Sequence, residues 1–359
     1  MNEQEILDRA KQAAMSVDEL DQPYDALLRR RDRKRRNQRI TAGVVGIAVF
    51  VAAVWIVTSV GSVDRTQPAV PGGAETGPTP TPPAGTAPET TGYLMDLNTG
   101  QMTQLPKSIS GGELYAVSPD GTMVAFTSGD DTGTRQVFIA NLDGTDVQQV
   151  THDRDGAAFP DWSPDGAAIA YTTRAYYTSG DVDKGNIFVL DLATGETSQV
   201  TNEKPTTEPL AHPGFPQFSP DGASIIYEVN RGDGWGMRIV PVTGGKSVLL
   251  VGGGKNDVEA WTGTLSPDGS KLAVACSGRL EGICIADADG TNLRTLVSGL
   301  RLNYPRWSPD GTRIAYTSSS GGNKVFVVDV ATGEATDVAD GIASDWLDDH
   351  TLIVECACR

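Results

Sequence analysis

The tetrapeptide Ser-Pro-Asp-Gly occurs five times in one chain, at Ser118–Gly121, Ser163–Gly166, Ser219–Gly222, Ser266–Gly269 and Ser308–Gly311. An apolar residue precedes each copy (Val117, Trp162, Phe218, Leu265, Trp307), and an apolar strand follows, as in MVAFTS, AIAYTT, SIIYEV, KLAVAC and RIAYTS. The chemistry is that of a tight turn. Proline holds φ near −65° at the first corner, aspartate bonds its own backbone, and glycine takes the positive φ. Repetition at a fixed interval constrains the fold more than any other feature, because each unit must bury its faces against its neighbours. The five aspartates and glycines (Asp120, Gly121, Asp165, Gly166, Asp221, Gly222, Asp268, Gly269, Asp310, Gly311) read as structural. A catalytic residue does not need five copies.

A second hairpin follows every copy: QVFIANLDG, NIFVLDLATG, GMRIVPVTGG, GICIADADG and KVFVVDVATG each end in a glycine turn, and another strand comes after. Each unit is therefore four strands, a to d, and the five copies recur at intervals of 42–56 residues, the size of a propeller blade. A degenerate sixth copy at Trp346–Val354 has Asp348 and Asp349 where the others have Pro-Asp, and the chain stops at Arg359 after strand b. The missing pair lies at the other end. Gly92–Gly100 matches a strand c with its turn, and Gln101–Pro106 matches a strand d. The expected fold is all-β, a six-bladed propeller over residues 92–359 with a split closing blade. Joining first strands to last removes the open sheet edge. The 41 glycines and 21 prolines suit such a turn-rich chain.

The Ser-Pro-Asp-Gly turn followed by an Ile-Ala-Tyr-like strand resembles the TolB-type propeller repeat, a relative of WD repeats that also builds the propellers of prolyl-oligopeptidase-like and tricorn-like proteases. The resemblance covers about three-quarters of the chain and implies the fold. It does not imply peptidase chemistry, because the chain has no Gly-x-Ser-x-Gly elbow. Propellers host many unrelated activities.

Ahead of the repeats, Ile40–Val60 is a 21-residue stretch without a charge, the length at which a helix rising about 1.5 Å per residue crosses a hydrocarbon core of about 30 Å. Eight Arg/Lys fall within Arg29–Arg39 just before it, which keeps the N-terminus cytoplasmic. Residues 1–39 are read as a cytoplasmic tail, helical before its basic juxtamembrane run, with Ile6, Ala10, Ala13 and Val17 on one face for a cytoplasmic protein partner. Residues 40–60 are the expected single transmembrane helix and membrane contact. Residues 61–91, rich in Pro, Thr, Gly and Ala, are an expected disordered stalk. The chain is thus expected in the cell membrane, single-pass, with its propeller extracytoplasmic. Residues 1–39 hold 10 basic and 8 acidic side chains, which leaves 19 basic and 38 acidic from residue 61 onward, a net of −19. A domain so acidic excludes nucleic acid as a partner.

Chemistry-bearing clusters are few. His152, His212 and His350 show no metal-ligand spacing, and the turns Asn141–Asp146 and Asp287–Asn292 lack the spacing and terminal Glu of a calcium loop. No metal, cofactor or catalytic residue is expected. Cys276 and Cys284 fall in strands b and c of one unit, where a hairpin centred near Leu280 would set them opposite each other for a disulfide. Cys356 and Cys358 are expected as free thiols or an unusual bridge. The Ser-Pro-Asp-Gly and c–d turns share one face, while the b–c and d–a loops surround the channel mouth on the other. There Arg174, Tyr176, Tyr177, Lys184, His212, Arg231 and Trp235 are the candidate ligand-binding residues. The expected function is a membrane-anchored module binding a protein, peptide or envelope ligand, with a sensor version whose tail regulates a partner in the manner of membrane-bound anti-sigma factors. The enzymatic alternative is a propeller hydrolase or lactonase using channel carboxylates or a bound metal.

Overall fold

The computed structural model describes residues 91–173, 185–202, 213–230, 234–254 and 257–356. The chain divides into two units, Met1–Thr81 and Pro82–Arg359, and every described residue lies in the second. The expected tail, the apolar segment Ile40–Val60 and the stalk up to residue 90 lie outside the described residues. Among those described, no helix is long and apolar enough to cross a membrane.

Twenty-four strands are described. Chain order begins with β1 (Thr91–Asp96) and β2 (Met102–Gln104). Blade 1 holds β3 (Glu113–Val117), β4 (Met123–Gly129), β5 (Arg135–Asn141) and β6 (Gln148–Gln149). Blade 2 holds β7 (Ala157–Trp162), β8 (Ala168–Thr173), β9 (Ile187–Asp191) and β10 (Thr197–Gln199). Blade 3 holds β11 (Gly214–Phe218), β12 (Ser224–Asn230), β13 (Trp235–Pro241) and β14 (Val248–Gly252). Blade 4 holds β15 (Val258–Leu265), β16 (Lys271–Gly278), β17 (Gly282–Asp287) and β18 (Arg294–Val297). Blade 5 holds β19 (Leu302–Trp307), β20 (Arg313–Ser318), β21 (Lys324–Asp329) and β22 (Ala335–Asp340), followed by β23 (Ile342–Trp346) and β24 (Thr351–Cys356). The last sheet runs β2-β1-β24-β23, so the closing blade is split between the two ends of the domain. β1 pairs antiparallel with β24 over six residues, from Thr91 opposite Cys356 to Asp96 opposite Thr351.

The core lies between blades, and the Ile-Ala-Tyr pattern explains why. In β20, Ile314 and Tyr316 enter a cluster with Ala273, Ile283 and Ile285 of blade 4. Ala315, on the opposite face, enters the next cluster with Trp346, Leu352 and Val354. The period-2 alternation of a strand thus sends large side chains to one neighbouring blade and a small one to the other. The same division holds for Ile169 and Tyr171 against Ala170. Ile169, Ile225, Leu272, Ile314 and Leu352 are all 0% exposed. Fully burying such a side chain stabilises by roughly 1.5–3 kcal/mol.

Each Ser-Pro-Asp-Gly turn is closed by its own polar atoms. Ser118 Oγ donates to Asp120 Oδ1 at 2.6 Å and accepts from Met123 N at 2.9 Å, while Gly121 at φ 73° donates its N–H to Ser118 O. The hydroxyl bond, then the Thr122 contacts, holds the Asp120 carboxyl below the usual range. The closing blade turns one residue sooner, with Leu347 N bonding Thr351 O. The acidic c–d turns are also ordinary turns: Asp143 and Asp289 each accept from the backbone N–H and hydroxyl of a threonine two residues on. Among the described residues no His/Cys/Asp/Glu group is arranged to hold a metal ion.

A disulfide joins Cys276 to Cys284 with Cα atoms 6.0 Å apart. The two are not directly opposite, as the hairpin centred on Leu280 would require. The register sets Cys276 against Gly282 and Val274 against Cys284. The turn is centred one residue earlier, at Arg279, with Gly278 and Gly282 at positive φ on either side. The bridge is therefore diagonal on one face of the hairpin, within reach of an i, j+2 pair. Cys356 is also disulfide-bonded; Cys358 lies outside the described residues. Loop-closure entropy for so short a ring is worth about 2–3 kcal/mol. The double variant Cys276→Ala/Cys284→Ala, compared with the parent in the absence of reductant, should lower the denaturant-unfolding free energy by about that amount.

Candidate functional site

Strand a of each blade faces the central channel, and each carries a bulge at the same place. The register breaks between Glu113 and Ala116, Ala158 and Asp161, Gly214 and Gln217, Trp261 and Gly263, Asn303 and Arg306, and Ala343 and Asp345. In five blades the residue four before the turn serine or its counterpart lies in the left-handed region: Leu114 (φ 58°), Phe159 (58°), Phe215 (49°), Thr262 (38°) and Tyr304 (55°). Such a conformation costs a β-branched or bulky residue on the order of 1–3 kcal/mol and persists only where its surroundings enforce it. The bulge re-aims these side chains across the channel. Phe159 and Phe215 meet with ring centroids 4.0 Å apart, Phe215 and Tyr304 at 5.5 Å, and Leu114 packs on the same group.

The neighbouring blade supplies the acceptors that hold the bulges. Glu355 Oε1 accepts from Leu114 N at 2.7 Å and from the Ser344 hydroxyl. Glu228 Oε2 accepts from Thr262 N at 2.7 Å, and Thr317 Oγ1 from Ala343 N at 3.0 Å. Two residues further along strand a, Asp161 accepts from Phe218 N and Asp345 from Val117 N. Trp162, Trp307 and Trp346 donate their indole N–H to the main-chain oxygens of Ala116, Thr264 and Arg306. Each of the six junctions thus has a hydrogen bond from or to strand a.

The apolar ring divides the channel. Below it, a void of about 30 Å3, the size of a single water, is lined by Asp161, Gln217, Arg306 and Asp345. Burial raises the Asp161 carboxyl to about 7 against the Phe218 N–H bond, and the charge of Asp345 adds to the rise. Burial likewise raises Asp345. Glu355 is pushed up to about 7, again chiefly by burial. Above the ring, a cavity of about 630 Å3 opens on the side of the b–c and d–a loops. Leu114, Phe159, Phe215 and Tyr304 form its floor, Trp235 and Trp261 line its walls, and Glu113, Glu228, Glu259 and Glu355 are its carboxylates. Trp261 Nε1 donates to Asn303 Oδ1 at 2.7 Å.

Of the candidate binding residues from the sequence, Trp235 lines this cavity. Arg174, Tyr176, Tyr177, Lys184, His212 and Arg231 lie outside the described residues. His152 accompanies Gln149 at a ring-nitrogen distance of 2.9 Å, away from the cavity lining, and His350 sits in the closing turn. The floor residues and Glu113, Glu259 and Trp261 were not singled out in the sequence. Their one signal is position: an apolar or aromatic residue stands four before the turn serine in four of the five full copies (Leu114, Phe159, Phe215, Tyr304).

Six four-stranded blades, a split closing sheet and a channel floored by re-aimed side chains define a six-bladed β-propeller with a one-sided cup. No protein-family model matches the chain. It is 32% identical over 129 residues to a TolB homolog of Chlorobaculum tepidum, covering 35% of this chain and 28% of that protein. It is 26% identical over 337 residues to dipeptidyl-peptidase 5 of Porphyromonas gingivalis, covering 73% of this chain and 47% of that protein. The solved structure of a putative TolB from Agrobacterium tumefaciens matches with a TM-score of 0.60 at 18% identity, over 75% of this chain and 98% of that one. The propeller is TolB-like in repeat and in fold. The chain spans less than half the length of both curated relatives.

Proposed function

We propose that this chain is a membrane-anchored, extracytoplasmic binding module that holds a protein or peptide ligand in the cup on its loop face. The cup itself carries the reading: about 630 Å3 of concave space, with aromatic walls and a few convergent carboxylates, is the usual form of a recognition site. Thr262 and Ser277 bring its aliphatic hydroxyls, and no His or Cys stands among its described lining residues to activate them as nucleophiles. The likeness to a TolB homolog supports the same class. The anchor reading rests on Arg29–Arg39 and Ile40–Val60, and the Cys276–Cys284 bridge suits an oxidising compartment. Residues 1–39 would then report occupancy to a cytoplasmic partner.

A photo-crosslinking residue in place of Trp235, in the full chain in intact cells, should give discrete adducts that one in place of Asp310 on the turn face does not. Identical adducts from both positions, or none from either, would overturn the binding reading. Protease added outside spheroplasts should remove the propeller and leave residues 1–39 protected.

A further inference from the structure

Four carboxylates line the cup and, among its described lining residues, no Lys or Arg does. Two of the four are built into the scaffold: Glu228 and Glu355 are 3% and 5% exposed and hold backbone N–H groups of the next blade. The other two stand at the rim, Glu113 paired with Arg135 and Glu259 beside Gly234. Between them are the π faces of Trp235, Trp261 and Tyr304, with the Trp261 indole held by Asn303. A cleft with low-dielectric walls focuses the field of such charges, and an aromatic face attracts a cation within about 6 Å of its centroid. The net charge of −19 beyond residue 60 has the same sign as the cup. An anionic ligand would meet like charge from Glu259 and no cationic side chain among the described lining residues.

Resting on the binding reading, we infer that the cup receives a Lys or Arg side chain carried on an extended segment of the protein ligand. The long aliphatic stem lies on the Phe215 and Tyr304 floor, and the charged head meets Glu113 and Glu259. The volume exceeds one side chain, so apolar neighbours of the basic residue enter with it. Arginine and lysine both fit this description, because the cup offers carboxylates and π faces and no fixed fork geometry is required.

The test uses the full chain in detergent, titrated with N-acetylated dodecapeptides that alternate leucine with lysine, glutamine or glutamate, and followed by tryptophan fluorescence. At low salt the lysine peptide should bind at least about tenfold tighter than the glutamine peptide, and the margin should shrink several-fold at about 0.3 M salt. Glu113→Gln/Glu259→Gln should bring the two peptides to within about twofold, and Glu113→Lys/Glu259→Lys should reverse the order in favour of glutamate. Both variants give up the partly exposed Glu113–Arg135 pair and should melt about a few degrees below the parent while staying folded, since neither glutamate holds a backbone group of another blade. Equal binding of the three peptides, or a lysine preference that survives the charge reversal in a folded variant, would overturn the inference. A ligand crosslinked at position 235 through a neutral or acidic segment would overturn it too and leave the binding reading standing. Absence of any adduct would remove both.

Discussion

Deleting Thr91–Gln104 should unfold the propeller. β1 supplies six backbone pairs to β24, and Met95 and Leu94 sit in the cores on either side of the closing blade. Without β1 and β2, β24 becomes an exposed edge of Leu-Ile-Val sequence, a template for aggregation. Two of the six inter-blade cores open at the same time, a loss comparable to the whole ~5–15 kcal/mol stability of a domain. Circular dichroism of the deleted chain should show no cooperative thermal transition, and gel filtration should show aggregate. Moving the same segment to follow Arg359 through a short flexible linker should restore both, because β1 then reaches β24 from the other end. A deleted chain that melts within a few degrees of the parent would refute the closure mechanism.

Glu355→Gln should stabilise the protein at high pH and flatten its pH dependence. Glu355 and Asp161 are each raised to about 7 in the folded state, mainly by burial. Between roughly pH 4 and 7 the folded chain therefore holds protons that the unfolded chain has released. The stabilisation from these two acids is fully present below their unfolded values near 4 and is lost as pH rises through 7. At pH 8 both are ionised in surroundings that disfavour the charge. Glutamine keeps an oxygen for Leu114 N and the Ser344 hydroxyl without the ionisation. It should raise the unfolding free energy at pH 8 by on the order of 2–3 kcal/mol and change it little at pH 5. Glu355→Leu should instead destabilise at both pH values, since a buried donor left unpaired costs about 1–3 kcal/mol. The turn aspartates act in the opposite sense and at lower pH. Asp120 and Asp191 are held below the usual range by hydrogen bonds, so their contribution is lost only as pH falls below about 4. Urea titrations from pH 4 to 9 would show the pattern; a parent curve flat from pH 5 to 8 would contradict it.

The blade count and the split closure were legible because the chemistry that sets them is local. Ser-Pro-Asp-Gly makes its turn with its own hydroxyl, carboxylate and glycine, and Ile-Ala-Tyr states in three letters which neighbour each side chain will face. The indole before the turn was legible as an apolar residue; that Trp307 also bonds Thr264 of the preceding blade was not. The cup was largely illegible. Leu114, Phe159, Phe215 and Tyr304 read as ordinary strand residues, and they converge only because six bulges at one radius turn them inward. Glu355 and Glu228 read as the polar ends of apolar strands, and closure of the ring buries them.

Six units, their order, their turns and the pairing of first strands with last follow from the amino-acid sequence, because each depends on contacts within a few residues or on a count. What the ring encloses is fixed by the three-dimensional fold. It set a floor of strained apolar residues, a shell of raised carboxylates beneath and beside it, and an acidic, aromatic cup above, since these groups come from blades far apart in the chain and meet only when the circle closes.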